Sequence, residues 1–280
     1  AEGGHPAFRV YDPRMSEAVE HRQSMAADLR QAMARGDLEL FYQPIVDLQH
    51  RRVAGAEALL RWRHPEQGLI PPDVFIPLAE KSGLIVDIGL WCVDQACRQL
   101  AQWRREGLAL TLTVNVSARQ IPDGLPVSAI LAAVDRHGIM PHWLGLEITE
   151  SLLLADLTGA KAWLDEVRAA GFQAYLDDFG TGYSSLSYLK RFQVDKVKID
   201  KAFIRDIAED ASDRALVGAV IILAGSLAFE VVAEGIETAE QAHFLTDISC
   251  HYGQGYYFSR PVPARDFPAA LDHIDGLWGD

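Results

Sequence analysis

The stretch Tyr175-Leu176-Asp177-Asp178-Phe179-Gly180-Thr181-Gly182-Tyr183-Ser184-Ser185-Leu186 ends an apolar run in two adjacent carboxylates. A strand entering as Gln173-Ala174-Tyr175-Leu176 would ordinarily finish in a turn residue. Here it finishes in two acids followed by glycines and hydroxyl residues, the composition of a hydrogen-bonding loop. Neighbouring carboxylates raise each other's pKa unless a cation lies between them, so the pair points to a divalent metal site. An Asp-Asp pair on its own serves equally as a solvated loop or helix cap. The rest of the chain decides between the two.

On both sides of this stretch, strand-like and helix-like segments alternate. Upstream, strands are predicted over 38–46 and 53–62, Pro71-Pro72 opens a short helix, and a long helix covers 85–106. Strands then fall at 110–116, 144–149, 173–178, 194–199, 231–233 and 252–258, with helices between them at 127–136, 160–169, 213–227 and 239–245. Seven or eight β-then-α units in 280 residues predict an α/β fold of the TIM (β/α)8 barrel kind, with a doubly wound open sheet as the lesser alternative. The polar residues favour the barrel. Taken strand by strand, the C-terminal ends present Glu57, Asn115, Glu147, Asp177 with Asp178, Lys198, Glu234 and Gln254. An open sheet gathers ligands at one switch point, whereas a barrel brings the end of every strand to one rim.

Chemically, Glu57, Glu147, Asp177, Asp178 and Glu234 would carry five negative charges into one cleft, against the single ammonium of Lys198. Uncompensated, such a cluster would protonate rather than stay charged. Two divalent cations would balance it. All-oxygen ligands, with the amide of Asn115 among them, suit Mg²⁺ or Mn²⁺ rather than Zn²⁺. Two such ions about 3.5 to 4 Å apart support in-line attack of water on a phosphoester. Ca²⁺, with longer bonds and more ligands, is expected to fill the site and inhibit.

Composition narrows the partners. The chain is 49% hydrophobic and 23% charged, that of an ordinary globular protein, and its formal net charge of -13 argues against a nucleic-acid polymer as partner. Cys92, Cys97 and Cys250 have no metal-type spacing and suit buried thiols in a reducing cytoplasm. The longest apolar run, 215–229, is too short to span a bilayer and reads as a buried helix leading into a strand. His64, His137 and His251 are isolated and are not expected to ligate metal.

These residues also carry a resemblance. Glu57-Ala58-Leu59-Leu60-Arg61-Trp62, Tyr42-Gln43-Pro44, Asn115-Val116-Ser117, Glu147-Ile148-Thr149-Glu150, the Asp177 to Leu186 loop, Lys198-Ile199-Asp200, Ala233-Glu234-Gly235-Ile236-Glu237-Thr238 and Gln254-Gly255-Tyr256 resemble, in order, the motifs of EAL-domain cyclic di-GMP phosphodiesterases. The resemblance implies a modified TIM barrel whose first strand runs antiparallel, and hydrolysis of cyclic di-GMP to linear pGpG. It implies that Glu57, Asn115, Glu147 and Asp177 hold one metal, that Asp177 and Asp178 hold a second, and that Glu234 binds metal or its water. Lys198 would orient the nucleophilic water, Gln254 would bind water nearby, and Gln43 and Arg61 would contact substrate, Arg61 being suited to a phosphate fork. Arg61 beside Trp62 could equally form a surface stack. Glu150, the second acid of its motif, would hold the loop bearing Thr181, Gly182, Ser184 and Ser185, next to a homodimer interface through which activity is controlled. If Glu150 continues the strand of Glu147, alternation sends it away from the metals. One departure from the family pattern is His251 after Cys250, where the family usually has Asp.

The expected organisation is a tail of an upstream domain, or equally a disordered end, over 1–14, a leading helix or linker over 15–37 and the barrel domain over 38–280. The tail resembles the closing strand of a GGDEF diguanylate cyclase domain, which implies a longer signalling protein with an upstream GGDEF or sensor domain. A catalytically inactive EAL-type domain that senses cyclic di-GMP or binds a protein partner is the alternative. Such domains usually lack a metal ligand, and none is missing here.

Overall fold

The computed structural model describes residues 13–155, 157–180 and 192–278. Eight strands close a barrel: β1 (Leu38–Asp47), β2 (Arg52–His64), β4 (Thr111–Asn115), β5 (Leu144–Thr149), β6 (Gln173–Phe179), β7 (Lys196–Ile199), β8 (Glu230–Ala233) and β9 (Tyr252–Gly253). From β2 to β9 the neighbours pair in parallel, whereas β1 pairs antiparallel with both β2 and β9 and so closes the ring. The modified barrel with a reversed first strand is therefore the fold. Two short strands extend it at the rim, β3 (Gly68–Ile70) beside β2 and β10 (Val262–Pro263) beside β1.

The helices wrap the ring. They are α1 (Pro13–Arg35), α2 (Pro72–Ser82), α3 (Ile85–Arg105), α4 (Val127–His137), α5 (Glu150–Ala155), α6 (Leu157–Ala169), α7 (Lys201–Ile204), α8 (Ala211–Ser226), α9 (Ala239–Asp247) and α10 (Phe267–Gly276). One large apolar cluster fills the space between helices and barrel, with Val114, Leu146, Leu176, Val197 and Val231 from its strands buried in it. A second, smaller cluster joins Met25, Leu29 and Ala32 of α1 to Trp62 of β2 and to Phe75 and Ala79 of α2. The leading helix is thus packed onto the barrel domain.

Four local expectations are corrected. The segment after β8 is strand only at Tyr252–Gly253, because Phe258 and Ser259 both donate to Gly255 O and turn the chain away. Glu57 lies in the middle of β2, which outruns the barrel to pair with β3. Glu150 is not a strand end: it is the first residue of α5 and is buried. Nor is the apolar run at 215–229 a buried helix, since α8 buries Val217, Ile221 and Ala224 but leaves Ile222 73% and Leu216 44% exposed. The short elements β3, β10, α5 and α7 and the C-terminal α10 were not expected.

The three cysteines are free thiols, with Cys97 and Cys250 buried. Among the described residues, no helix is long and apolar enough to cross a membrane.

Candidate active site

The parallel strands all point one way, so their ends deliver side chains to one face of the ring. Lys198, the third residue of β7, is 1% exposed, and its ammonium is the centre of the arrangement. Nζ lies 2.6 Å from Glu147 Oε2, 2.6 Å from Glu234 Oε1, 3.2 Å from Glu57 Oε2 and 3.6 Å from Asp177 Oδ1. A lysine at a strand end can instead extend its head to solvent, but here four acids hold it inside.

Asp177 and Asp178 would face opposite sides of a regular strand. The register of β6 against β7 breaks between Leu176 and Phe179, and Asp178 takes a left-handed backbone with φ 56. This local irregularity re-aims the chain, and both carboxylates line the same cleft. Asp178 N donates to Asp177 Oδ1 at 2.9 Å. Of the loop that follows, Thr181, Gly182, Ser184 and Ser185 lie outside the described residues.

Hydrogen bonds tie the remaining members together. Asn115 Nδ2 donates to Glu57 Oε1 at 2.7 Å, while Gln254 Nε2 donates to Glu57 Oε2 at 2.8 Å and to Gln43 Oε1 at 2.9 Å. Gln43 Nε2 in turn donates to Ser259 O at 3.0 Å. The Gln43 amide is therefore engaged at both ends. Arg61 donates to Leu60 O and lies over the Phe41 ring, 5.6 Å from its centroid, lining an adjoining apolar cavity. Trp62 is fully buried, which removes the surface stack with Arg61.

Electrostatics follow from this geometry. Burial, then the charge of Glu57, pushes the Glu147 carboxyl well above its usual range. Burial also lifts Glu234 to about 7, even with Lys198 pulling the other way. Asp178 is raised by burial and by Asp177 and Asp200. Glu57 is buried too, but the Lys198 charge and the Gln254 and Asn115 donors outweigh that and hold it below the usual value. Lys198 is kept protonated by its four acids against the cost of burial. The cluster carries more acid than its one ammonium can satisfy.

A hard divalent cation fits this donor set in type and charge. The donors are all oxygen, and Glu147 Oε1 is a buried acceptor that no donor meets among the described residues. No three Asp, Glu, His or Cys side chains among the described residues stand in a ready coordination sphere. The histidines lie elsewhere: His64 Nδ1 accepts from the Glu66 and Gln67 amides, His137 contacts Asp94, and His251 Nδ1 accepts from Val231 N.

Sequence reasoning gave no role to Asp73, Asp200, Lys201, Glu237 or Tyr256, which also line the cleft. Asp200 could have been found by period-2 spacing from Lys198. It lines the cleft and also caps α7 through Ala202 N. Asp73 sits in the first turn of α2, where nothing in its surroundings in sequence marks it.

Together these features make a modified TIM barrel with a reversed first strand and an acidic, lysine-centred rim. The chain belongs to the EAL domain family, whose family model matches residues 26–261. It is 42% identical over 269 residues to the bifunctional diguanylate cyclase/cyclic di-GMP phosphodiesterase MucR of Pseudomonas aeruginosa, covering 96% of this chain and 39% of that protein. It is 40% identical over 266 residues to the cyclic di-GMP phosphodiesterase PdeR of Escherichia coli, covering 95% and 40%. The chain thus spans about two fifths of the length of these relatives. Among solved structures, the PaMucR phosphodiesterase in complex with c-di-GMP is similar at a TM-score of 0.83 and 45% identity, over 87% of this chain and 99% of that one. The EAL enzyme Bd1971 in its cAMP- and cyclic-di-GMP-bound form is similar at a TM-score of 0.85 and 33% identity, over 91% and 70%.

Proposed function

We propose that this chain is a phosphodiesterase that hydrolyses cyclic di-GMP to linear pGpG in second-messenger signalling. The observation that carries the reading is the convergence of Glu57, Glu147, Asp177 and Glu234 on one buried ammonium, beside Asn115, Asp178 and Gln254. In hydrolysis, a water oxygen bonds to phosphorus, one ester P–O bond breaks, and the departing ribose oxygen takes a proton.

Glu57, Asn115, Glu147, Asp177, Asp178 and Glu234 would hold two Mg²⁺ or Mn²⁺ ions, which supply Lewis acidity and lower the pKa of bound water. Lys198 fixes the four surrounding carboxylates and places a positive charge where negative charge develops on the phosphoryl oxygens. Glu234, whose Oε1 accepts from that ammonium, would hold a metal ion or take the proton of the attacking water through its other oxygen. Gln254 holds Glu57 in place, and Arg61 supplies a guanidinium beside the acids. The inactive-sensor alternative is disfavoured by the complete set of acids.

The finer regulatory reading belongs to the same proposal. Glu150 is buried at the start of α5, and the family resemblance implies that it would hold the loop that follows Asp178. The exposed Leu216 and Ile222 of α8 support a homodimer, which sedimentation would check. In the full-length protein, an upstream GGDEF or sensor domain would precede α1. Incubating the chain with Mn²⁺ and cyclic di-GMP and separating the nucleotides tests the central reading. Formation of pGpG is expected, and intact substrate after long incubation would overturn it.

A further inference from the structure

Seven acids and two lysines line the cleft among the described residues, and the two lysines are held in different ways. Lys198 is buried, and four carboxylates surround its ammonium. Lys201, the first residue of α7, is exposed, and its ammonium enters no ion pair or hydrogen bond among the described residues. An unpaired lysine is ordinary on an open surface, where an ion pair gains little. Inside an acidic cleft it is not, and the acids nearest to it in sequence are already engaged. Asp200 caps α7 by accepting from Ala202 N at 2.8 Å, and Glu234 Oε1 accepts from Lys198 at 2.6 Å. The Lys201 head is left for something that enters the cleft.

The base of this side chain is fixed although its head is not. Gly235, the residue after Glu234, has φ 70, and a Cβ there would collide with Lys201 Cβ and lie 3.1 Å from Lys201 Cα. Only glycine lets the chain leaving β8 pass so close. Glu234 N donates to Ile199 O at 3.1 Å and Arg205 N to Lys201 O at 2.9 Å, so the backbone is tied on both sides of the contact. Lys201 is thereby set against the segment that carries Glu234, to one side of the buried acids. The other cation nearby, Arg61, lines the adjoining apolar cavity instead and is engaged by Leu60 O and the Phe41 ring.

We infer that Lys201 binds the phosphodiester of the substrate that is not being cleaved. This inference rests on the reading of the substrate as a cyclic dinucleotide. Such a molecule has two phosphodiesters, each with one negative charge, and only one can lie at Lys198 and its acids while it reacts. The other stays charged in a cleft lined mainly by carboxylates, which would repel it unless a cation meets it. An ammonium on a flexible stem meets a phosphate as a point charge, without the fixed geometry a guanidinium fork demands. The charge on this second phosphate does not change during the reaction. Its contact with Lys201 is therefore equal in bound substrate and transition state, so it lowers KM and leaves kcat alone. It also favours a substrate with two phosphates over a simple diester with one.

The test uses the whole chain with Mn²⁺, comparing Lys201→Ala and Lys201→Arg with the parent on cyclic di-GMP and on bis(p-nitrophenyl) phosphate, a diester with a single phosphate. Lys201→Ala should raise KM for cyclic di-GMP about fivefold or more and keep kcat within about threefold of the parent. Its rate on bis(p-nitrophenyl) phosphate should match that of the parent. Lys201→Arg keeps the charge and should restore KM to within about threefold. Added NaCl should raise the parent's KM more steeply than that of Lys201→Ala, because screening weakens only a contact that is made. Unchanged KM in Lys201→Ala overturns the assignment while cyclic di-GMP hydrolysis by the parent stands. Equal losses on both substrates also overturn it, because Lys201 would then act at the reacting phosphate or on the fold. So does a Lys201→Arg variant as impaired as Lys201→Ala, because the charge would then not be what matters. If the parent leaves cyclic di-GMP intact, the substrate reading fails first and the assignment falls with it.

Discussion

The Gln254 amide donates to the Glu57 carboxylate across 2.8 Å, and that single bond joins the segment after the last barrel strand to the second strand. Glu57 depends on it for orientation as well as charge, since its other oxygen is held by Asn115. Gln254→Ala is expected to weaken metal affinity or turnover about 10- to 100-fold, the usual effect of removing a residue that orients a ligand. Glu57→Ala should lose metal and activity together. Metal titrations followed by rate measurements on both variants check the order. Equal metal affinity and rate in Gln254→Ala and the parent would show that the bond is incidental.

For Lys198 the expected signature is different. Lys198→Ala should still bind cyclic di-GMP but lose turnover by about 10² or more if the ammonium stabilises transition-state charge. Binding is best measured by calorimetry with Ca²⁺ in place of the activating ion. A near-parental rate would remove Lys198 from the chemistry.

Activity should require Mg²⁺ or Mn²⁺, vanish in excess EDTA, and be poorly supported by Ca²⁺, whose longer bonds and higher coordination misplace the attacking water. Full turnover in EDTA would sink the two-metal proposal.

The metal-free chain should also show a pH signature in its stability. Glu147 and Glu234 keep protons in the folded state that they would release once unfolded, because their folded pKa values are raised. Where the folded state binds more protons, stability falls as pH rises. For Glu234 that window runs from 4.5 to about 7. Glu57 has the opposite sign, but its contribution is lost only as pH falls below its ordinary range, and that of Lys198 only at strongly alkaline pH. In EDTA, Tm should therefore be lower at about pH 8 than at about pH 5.5, and Mn²⁺ should narrow the gap. A flat or rising profile in EDTA would contradict the raised values.

Glu150→Ala is expected to keep the fold and lose metal-dependent turnover, through a loop no longer held beside Asp178. Circular dichroism and rate assays together check this. An unchanged rate with an unchanged Mg²⁺ requirement would leave Glu150 with a packing role alone.

Much of the barrel could be read in advance because apolar runs and their polar stops recur once per strand. The segment Leu144–Thr149 falls where its run predicts. The convergence of Glu57, Glu147, Asp177 and Lys198 was likewise implied by their places on successive strands. Other features were hidden for physical reasons. The turn at Gly255 follows from a backbone contact with Ile236, which no local pattern encodes. Helix α5 begins without a break after β5, so Glu150 looked like more strand. The common direction of Asp177 and Asp178 depends on one left-handed backbone, where alternation alone would separate them.

The reversed first strand also governs how the chain can be made. β1 emerges before the rest of the barrel, yet one of its neighbours, β9, begins at Tyr252, and Phe41 and Tyr42 finally pair with Pro263 and Val262 of β10. Until those late residues appear, the ring has an open seam with two unpaired edges, each a template for pairing with another chain. A nascent chain halted before Tyr252 already carries Glu57, Glu147, Asp177, Lys198 and Glu234, but it lacks the strand that shuts the ring around them. The seam makes closure a long-range and late event, the kind of contact that slows folding most.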